Sequence, residues 1–327
     1  MLTAKDIITY RIAQEDVLSV PVKSLADKTA NTWQADRSDK EKVDDTLIGK
    51  VAELAFERYL ADNGVAYISW DQIRQDGLAK HAPLDGFVME KALEGIARNR
   101  LFIYSANQAQ RPVYFDTEFR DICEENQIYG CEVKGTRIGD RLCHFDGSIN
   151  YEKMLEDHFF QYPVSTRFGE ITPELRTRLL GAAEKEKTAQ KTPRLLVRVY
   201  VDRQPNMFVC YLVGYISRDK FFDSPDLDVA HLFKAGKSES AIFYTVKQRY
   251  GYPLSQVIEW LTRNTHTGNC EGDRKEHCFH YSPDVVEDIE GCERYICCHC
   301  GHVEFWPINH EICGPYAPHF PMEENHV

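Results

Sequence analysis

Residues 128–139 read IYGCEVKGTRIG, and this stretch carries the pattern on which the fold assignment depends. Charged and apolar residues alternate in it, as they do in a β-strand whose successive side chains point to opposite faces. Glu132 and Lys134 share one face, while Cys131 and Val133 share the other. Burying charge is costly unless the charge is paired or binds a metal ion. An edge strand with a solvent-exposed Glu–Lys pair would also give this pattern, so the rest of the sequence has to decide.

The length and composition of the chain are typical of an ordinary folded protein. Its 327 residues suffice for one large domain, or for one domain with a small appendage. The hydrophobic content of 43% supports a sizeable core. No run of about 18 apolar residues exists, so we expect no membrane partner. Residues 1–17 lack the apolar core of a signal peptide, and we therefore expect a cytoplasmic protein.

The formal net charge of −12 argues against a protein that coats nucleic acid non-specifically. It does not exclude an enzyme that acts on nucleic acid through a local basic surface. Two groups of basic residues in the sequence could supply such a surface. They are Lys134, Arg137 and Arg141, and Lys185, Lys187, Lys191, Arg194, Arg198 and Arg203.

The order of helix and strand signals predicts an α/β sandwich around a mixed sheet. The clearest helix covers 44–64, where we expect Asp45 or Thr46 to cap the start and Gly64 to end it. Residues 91–127 read as an insertion, with strands at 101–105 and 111–115 and a short helix at 116–125. Further strands are predicted at 65–70, 83–90, 128–137, 194–202, 206–217 and 241–246. Further helices are predicted at 3–16, 150–160, 172–187 and 254–264.

Charged side chains in three of these elements form a candidate site. Glu53 lies in the helix at 44–64, Asp85 opens the strand at 83–90, and Glu132 and Lys134 lie on the later strand. Cleavage of a phosphodiester bond needs a deprotonated water and neutralisation of the charge that develops on the phosphate. Carboxylates at adjacent strand edges can hold Mg²⁺, and a nearby lysine can position or deprotonate the water. The site therefore has the groups that phosphodiester hydrolysis requires.

In this order the three elements resemble the PD-(D/E)XK nuclease superfamily, which has the restriction-endonuclease-like fold. The helix with Glu53 resembles the first core helix of that family. Pro83-Leu84-Asp85 resembles its aspartate motif, and the EVK of 132–134 resembles its E-x-K motif. The resemblance covers roughly residues 43–260. It departs from the family in the long interval between the last two motifs, which the insertion has to accommodate.

The resemblance implies a Mg²⁺-dependent DNA endonuclease, and family analogy alone suggests a restriction-type or phage-related role. Asp85, Glu132 and Val133 would hold the Mg²⁺, and Lys134 and Glu53 would complete the catalytic set. One alternative is a structure-specific or single-strand-processing nuclease of repair or recombination. Another is a non-catalytic adaptor that binds nucleic acid or protein. A double-strand break made by one metal site per subunit needs two subunits, so we predict a homodimer.

For three residues of this site the sequence allows another residue or another role. Asp116, in YFDTEF, lies nearer to the E-x-K strand than Asp85 does and is its rival for the metal, although it lacks the Pro-x-Asp context. Glu57, one helical turn after Glu53, could take the place of Glu53. Lys134 could serve only as the ion-pair partner of the glutamate two residues before it.

The composition changes after residue 263, and we predict a nuclease domain at 1–263 followed by a zinc-binding domain at 264–327. Seven of the eleven cysteines lie between Cys270 and Cys313. In a reducing compartment, clustered cysteines bind metal more often than they form disulfides. The strongest signal is Cys297-x-x-Cys300-Gly, a tight turn in which two thiolates can bind one Zn²⁺.

We expect Cys278 and His280 to complete this zinc site with Cys297 and Cys300, and Cys270 is the alternative to either of the first two. Four protein ligands leave no open position, so the Zn²⁺ would be structural rather than catalytic. The module resembles a zinc ribbon. Its sequence leaves open whether it braces the protein, contacts a protein partner or binds nucleic acid.

Overall fold

A mixed six-stranded β-sheet lies at the centre of the structure, a computed structural model. The structure describes residues 1–18, 22, 38–76, 82–107, 115, 117–161, 170–189, 193–231 and 242–262, and it describes only the backbone of 279–281, 292–297 and 303–307. The strands are β1 Ile8–Ala13, β2 Val65–Ser69, β3 Gly86–Glu90, β4 Tyr129–Arg137, β5 His158–Gln161, β6 Leu195–Gln204, β7 Met207–Ser217, β8 Asp228–His231, β9 Ile242–Lys247, β10 Phe279–Tyr281, β11 Cys292–Cys297 and β12 Val303–Pro307.

The central sheet has the strand order β1-β7-β6-β4-β3-β2. Strands β4 and β6 run parallel, and every other neighbouring pair in this sheet is antiparallel. A second, antiparallel sheet has the order β5-β9-β8. These pairings confirm the mixed sheet that the order of elements predicted, and the strand with the E-x-K pattern is β4.

Helices and the second sheet cover the two faces of the central sheet. The helices are α1 Gln14–Leu18, α2 Asp39–Asp62, α3 Trp70–Ile73, α4 Glu94–Asn107, α5 Thr117–Glu125, α6 Tyr151–Glu156, α7 Pro173–Gly181, α8 Ala183–Ala189, α9 Arg218–Phe222 and α10 Leu254–Thr262. On one face, α2 and α10 pack on Val133 and Val197. On the other face, α4 and α5 pack on Phe87, and the second sheet packs on Leu196. No helix among the described residues is long and apolar enough to span a bilayer.

Helix α2 begins earlier than the sequence predicted. Its cap is Ser38, whose hydroxyl accepts a hydrogen bond from the Glu41 backbone N–H, while the Glu41 carboxylate accepts one from the Ser38 N–H. This reciprocal pair is a capping box, which satisfies two backbone donors at the helix start. Asp45 and Thr46, the predicted caps, therefore lie inside the helix.

Gly135 allows α2 to lie close to β4. A Cβ atom at this position would be 2.9 Å from the Ala52 Cβ and 2.9 Å from the Ile48 carbonyl oxygen. Both distances are too short for a side chain to fit without displacing the helix. The glycine after the E-x-K pattern thus brings the α2 backbone, and Glu53 with it, to the edge of β4.

Three predicted elements are wrong. The helix predicted at 150–160 ends at Glu156 as α6, and His158–Gln161 form the strand β5. Residues 3–16 do not form one helix, because β1 occupies Ile8–Ala13 and pairs antiparallel with β7 at the edge of the sheet. The strand predicted at 101–105 is part of α4, whose buried residues Ala97 and Leu101 continue the helical spacing that starts at Leu93, just before the helix. The short helix predicted in this region is confirmed as α5. Of the strand predicted at 111–115, only Phe115 is described.

The backbone described after residue 263 forms a three-stranded antiparallel sheet in the order β10-β11-β12. Strand β11 ends at Cys297 and β12 begins at Val303, so the predicted Cys-x-x-Cys turn falls between these two strands. The other zinc-ligand candidates Cys270, Cys278 and Cys300 lie outside the described residues. For His280 and Cys297, the description covers the backbone and not the imidazole or the thiol.

Candidate active site

Asp85 lies where the pairing between β3 and β4 ends. The last paired residues are Gly86 and Cys131, and beyond them no described residue forms a strand partner for β4 on the β3 side. The Asp85 carboxylate takes the place of a strand partner here, because its Oδ2 accepts a hydrogen bond of 2.6 Å from the Val133 backbone N–H. The Asp85 carbonyl accepts one of 2.9 Å from the Trp70 N–H, which anchors the residue from the other side.

The Val133 carbonyl faces the same edge of β4 as the Val133 N–H. In an extended strand the N–H and C=O of one residue point to the same side, which is why antiparallel partners exchange two hydrogen bonds. Since the N–H reaches the Asp85 carboxylate, the carbonyl oxygen also points to the unpaired edge. Val133 therefore presents a main-chain oxygen to the space beside Asp85, and it lines the cleft found there.

Glu132 and Lys134 lie on one face of β4, opposite to Cys131 and Val133, which are buried in the core under α2. The Lys134 ammonium donates a hydrogen bond to Glu132 Oε1. Their side chains are 40% and 22% exposed, so the pair is neither fully buried nor free in solvent. The structure thus confirms the alternation along the strand and places the pair at the end of the β3–β4 pairing.

Glu53 reaches the same place from α2 and is 8% exposed. The Lys50 ammonium, one turn earlier, donates to both Glu53 carboxylate oxygens at 2.8 Å. It also lies 2.7 Å from the Asp71 carboxylate of α3. Asp71 is in turn paired with Arg74, whose side chain is 2% exposed. A partly buried row of alternating charges therefore holds Glu53 in position.

The sequence analysis overlooked Lys50, although its spacing from Glu53 is a helical i,i+3 pair and could have indicated the contact. Asp71 carried no such signal, because it approaches Lys50 only through the packing of α3. Glu57, the alternative to Glu53, interacts with Gln72 and does not line the cleft. Asp116, the rival of Asp85, lies outside the described residues.

Two carboxyl groups of the site, Asp85 and Glu53, have raised pKa values. Burial and then repulsion from Glu132 and Glu53 hold the pKa of Asp85 well above its usual value. Burial raises the pKa of Glu53 to about 7, with Lys50 opposing the shift and Asp71 and Glu132 adding to it. Burial works against the charge on Lys134, but Glu132 and Asp85 outweigh it and raise the lysine pKa. Together, the neighbouring carboxyl groups of Asp85, Glu53 and Glu132 produce a negative electrostatic potential that favours the binding of an additional cation.

An open cleft of about 570 Å³ is lined by Glu53, Asp85 and Lys134. Its volume is within the range of roughly 300–1,000 Å³ that small-molecule sites occupy. The wall is formed by α2 on one side and by the unpaired edge of β4 on the other. The lining residues that matter for chemistry are Glu53, Asp85, Val133, Lys134, Arg137 and Phe160.

The oxygen donors beside the cleft fit Mg²⁺. Among the described residues, no three His, Cys, Asp or Glu side chains form a metal-binding group. Asp85 and Glu132 nevertheless offer two carboxylates and Val133 a carbonyl, and Glu53 is held by Lys50. Mg²⁺ prefers hard oxygen ligands, and proteins commonly bind it through one or two carboxylates while it keeps several waters. A set with two carboxylates and one carbonyl meets that requirement.

Changing pH should reveal the raised pKa of Glu53 in the absence of divalent ions. A carboxyl whose pKa is raised by folding stabilises the protein fully below its unfolded pKa and loses that contribution as the pH rises. We expect wild type to lose on the order of 3 kcal/mol relative to Glu53→Gln between about pH 4.5 and pH 7. Urea unfolding in EDTA measures this difference, with Glu118→Gln as an exposed control outside the cleft. A difference that stays constant with pH would contradict the prediction.

Comparison with known proteins gave no match for this chain. Neither a protein-family model, nor a curated protein, nor a solved structure matches it. A function for the cleft therefore has to be inferred from its own residues and their chemistry.

Proposed function

We propose that this chain is a Mg²⁺-dependent nuclease that hydrolyses phosphodiester bonds in DNA. The observation that carries the proposal is the hydrogen bond between the Asp85 carboxylate and the Val133 N–H. It brings an aspartate from one motif next to the Glu132–Lys134 pair of another, although the long insertion separates them in sequence. The proposal includes a restriction-endonuclease-like fold for residues 1–263, supported by the mixed sheet and by α2 across it.

In this proposal Asp85, Glu132 and the Val133 carbonyl hold the metal. When bound, Mg²⁺ supplies Lewis-acid activation of water and neutralisation of the phosphate charge. The Asp85 carboxylate keeps its place through the Val133 N–H, so the two donors stay aligned without a change in the backbone. Glu132 also accepts a hydrogen bond from Lys134, which fixes the ammonium beside the carboxylates.

Lys134 orients the attacking water in this scheme. Its side chain lines the cleft and is 40% exposed, so a water and a phosphate oxygen can both reach it. The carboxylates beside it favour its protonated form, in which Nζ donates hydrogen bonds. Neutralising those carboxylates would lower the pKa of Lys134 and allow Nζ to accept a proton from the water.

Arg137 extends the basic edge of β4 beyond Lys134. It lines the cleft, is 52% exposed, and has a carboxylate of Asp44 at 3.8 Å. A pair this loose and exposed contributes little to stability, so the guanidinium is available for a phosphate. We place the DNA backbone along this edge of the cleft.

A cleavage assay on plasmid and linear DNA tests the proposed function. We expect products with Mg²⁺ and none with EDTA, and we expect activity to return when Mg²⁺ is added in excess. The double variant Asp85→Asn/Glu132→Gln, purified in the same way, controls for a contaminating nuclease. Equal cleavage by wild type and this variant, or none by either across a panel of DNA substrates, would reject the proposal.

Replacing Lys134 should slow the chemical step without preventing binding. We expect Lys134→Ala to reduce the single-turnover rate by about 10²-fold or more, the usual contribution of an acid–base group. DNA affinity should be retained, because Arg137 and the metal ligands remain. Lys153→Ala, an exposed lysine of α6, is the matched control. If the single-turnover rate of Lys134→Ala equals that of wild type, Lys134 is only an ion-pair partner of Glu132.

A further inference from the structure

An aromatic ring forms part of the cleft wall that also contains Lys134. Phe160 belongs to β5, where the buried side chain of the preceding residue, Phe159, points into the core. Because side chains alternate along a strand, Phe160 points the other way and lines the cleft. The other described residues that line the cleft are aliphatic, small, polar or charged. Phe160 thus adds a flat apolar surface to a cleft that is otherwise lined mainly by charged, polar and small residues.

The Phe160 ring is held firmly from the protein side. The guanidinium of Arg198 lies over the ring at 5.2 Å from its centroid, and Phe243 packs edge-on at 5.3 Å. Arg198 is itself only 5% exposed. It is held by the Tyr200 ring at 5.1 Å and by the Asp157 carboxylate at 3.9 Å. A ring fixed in this way loses little conformational freedom when a ligand stacks on it.

Arg198 also links the ring to the candidate catalytic strand. Arg198 lies on β6 and pairs in register with Lys134 on the adjacent parallel strand β4, so the two side chains lie on the same face of the sheet. The position of the Phe160 ring is therefore tied to that of Lys134 through one rigid part of the sheet. A group stacked on Phe160 would be held at a defined place relative to the Glu132–Lys134 pair.

We propose that Phe160 is a stacking site for one unpaired nucleobase, so that the cleft takes single-stranded DNA. The inference rests on the proposed nuclease function and adds the class of substrate. Bases stack on aromatic side chains whatever their sequence, because every base has a π-face. A base inside a duplex is already stacked on both sides and would first have to be extruded. A single strand offers its bases without that cost, while its phosphates follow the edge with Lys134 and Arg137.

Binding of a fluorescent oligonucleotide tests this site. The full chain carrying Asp85→Asn, which prevents cleavage, is titrated with a single strand containing 2-aminopurine and with a blunt duplex of the same sequence. We expect the single strand to bind more tightly and its fluorescence to be quenched by stacking. Adding Phe160→Leu should remove the quenching and weaken single-strand binding by about 5- to 100-fold. Duplex affinity should stay within about twofold.

Two further variants separate stacking from packing. Phe160→Trp keeps the aromatic face and should retain both quenching and affinity. Phe145→Leu replaces a fully exposed aromatic residue that does not line the cleft and should change neither. Equal losses of single-strand and duplex binding in Phe160→Leu would show a structural role and overturn the stacking site. So would the absence of quenching with Phe160 or Trp present, an outcome that does not need the Leu variant to fold. Absence of binding to either DNA would instead reject the nuclease function on which the inference rests.

Discussion

Replacing Asp85 or Glu132 by alanine should lower the single-turnover rate of Mg²⁺-dependent cleavage by about 10³-fold or more. Each substitution removes one of the two carboxylates that would hold the metal, and loss of about 4 kcal/mol of transition-state stabilisation corresponds to this factor. Folding stability should change little. Burial and repulsion from neighbouring carboxylates already oppose ionisation of Asp85, so removing its carboxyl group removes an unfavourable interaction. This gain offsets the loss of the hydrogen bond from the Val133 N–H.

The measurement is a pair of experiments on the same protein samples, single-turnover cleavage and thermal unfolding. Asp121→Ala is the matched control, because Asp121 is 49% exposed on α5 and does not line the cleft. Full activity in Asp85→Ala would transfer the metal site to Asp116 or end the proposal. A large loss of thermal stability together with activity would show that the residue acts through the fold.

The second large effect is expected for zinc. We predict one Zn²⁺ per chain, held by Cys278, His280, Cys297 and Cys300, with Zn–S distances of about 2.3 Å. Structural Zn²⁺ contributes on the order of 10–16 kcal/mol in small zinc domains, so the folding of residues 264–327 should depend on it. Thiolates prefer Zn²⁺ over the Mg²⁺ that the oxygen donors of the cleft would hold. The two metals should therefore be separable.

Elemental analysis and limited proteolysis test the zinc prediction. Cys297→Ser should reduce the zinc content and open residues 264–327 to proteases, while the region of the cleft stays protected. Cys143→Ser, which replaces a half-buried free cysteine outside the cluster, should keep the zinc content of wild type. Brief treatment with a weak chelator should stop cleavage reversibly and leave the zinc in place. Finding no zinc in protein purified without chelators would contradict the prediction.

Errors in the sequence analysis came from signals that compete locally. The apolar run LFIYS at 101–105 read as a strand, although Leu93, Ala97 and Leu101 already showed the helical spacing that α4 uses. The start of α2 was placed too late, because its capping box, Ser38 with Glu41, lies in a segment that read only as polar. The residues of β1 form a strand because they pair with β7, and the local sequence of this segment does not indicate that pairing.

By itself the sequence predicted the central strands other than β1, including the strand character of 129–137. It also determined which side chains share a face, since alternation follows from backbone geometry alone. Only the tertiary structure decided which of these residues meet. The approach of Asp85 to Val133 depends on where the β3–β4 pairing stops, and the approach of Glu53 depends on α2 lying against Gly135. Two further contacts join elements that are distant in sequence. They are the ion pair between Lys50 and Asp71 and the stacking of Arg198 on Phe160. Such contacts arise from the packing of whole elements, and local periodicity does not encode them.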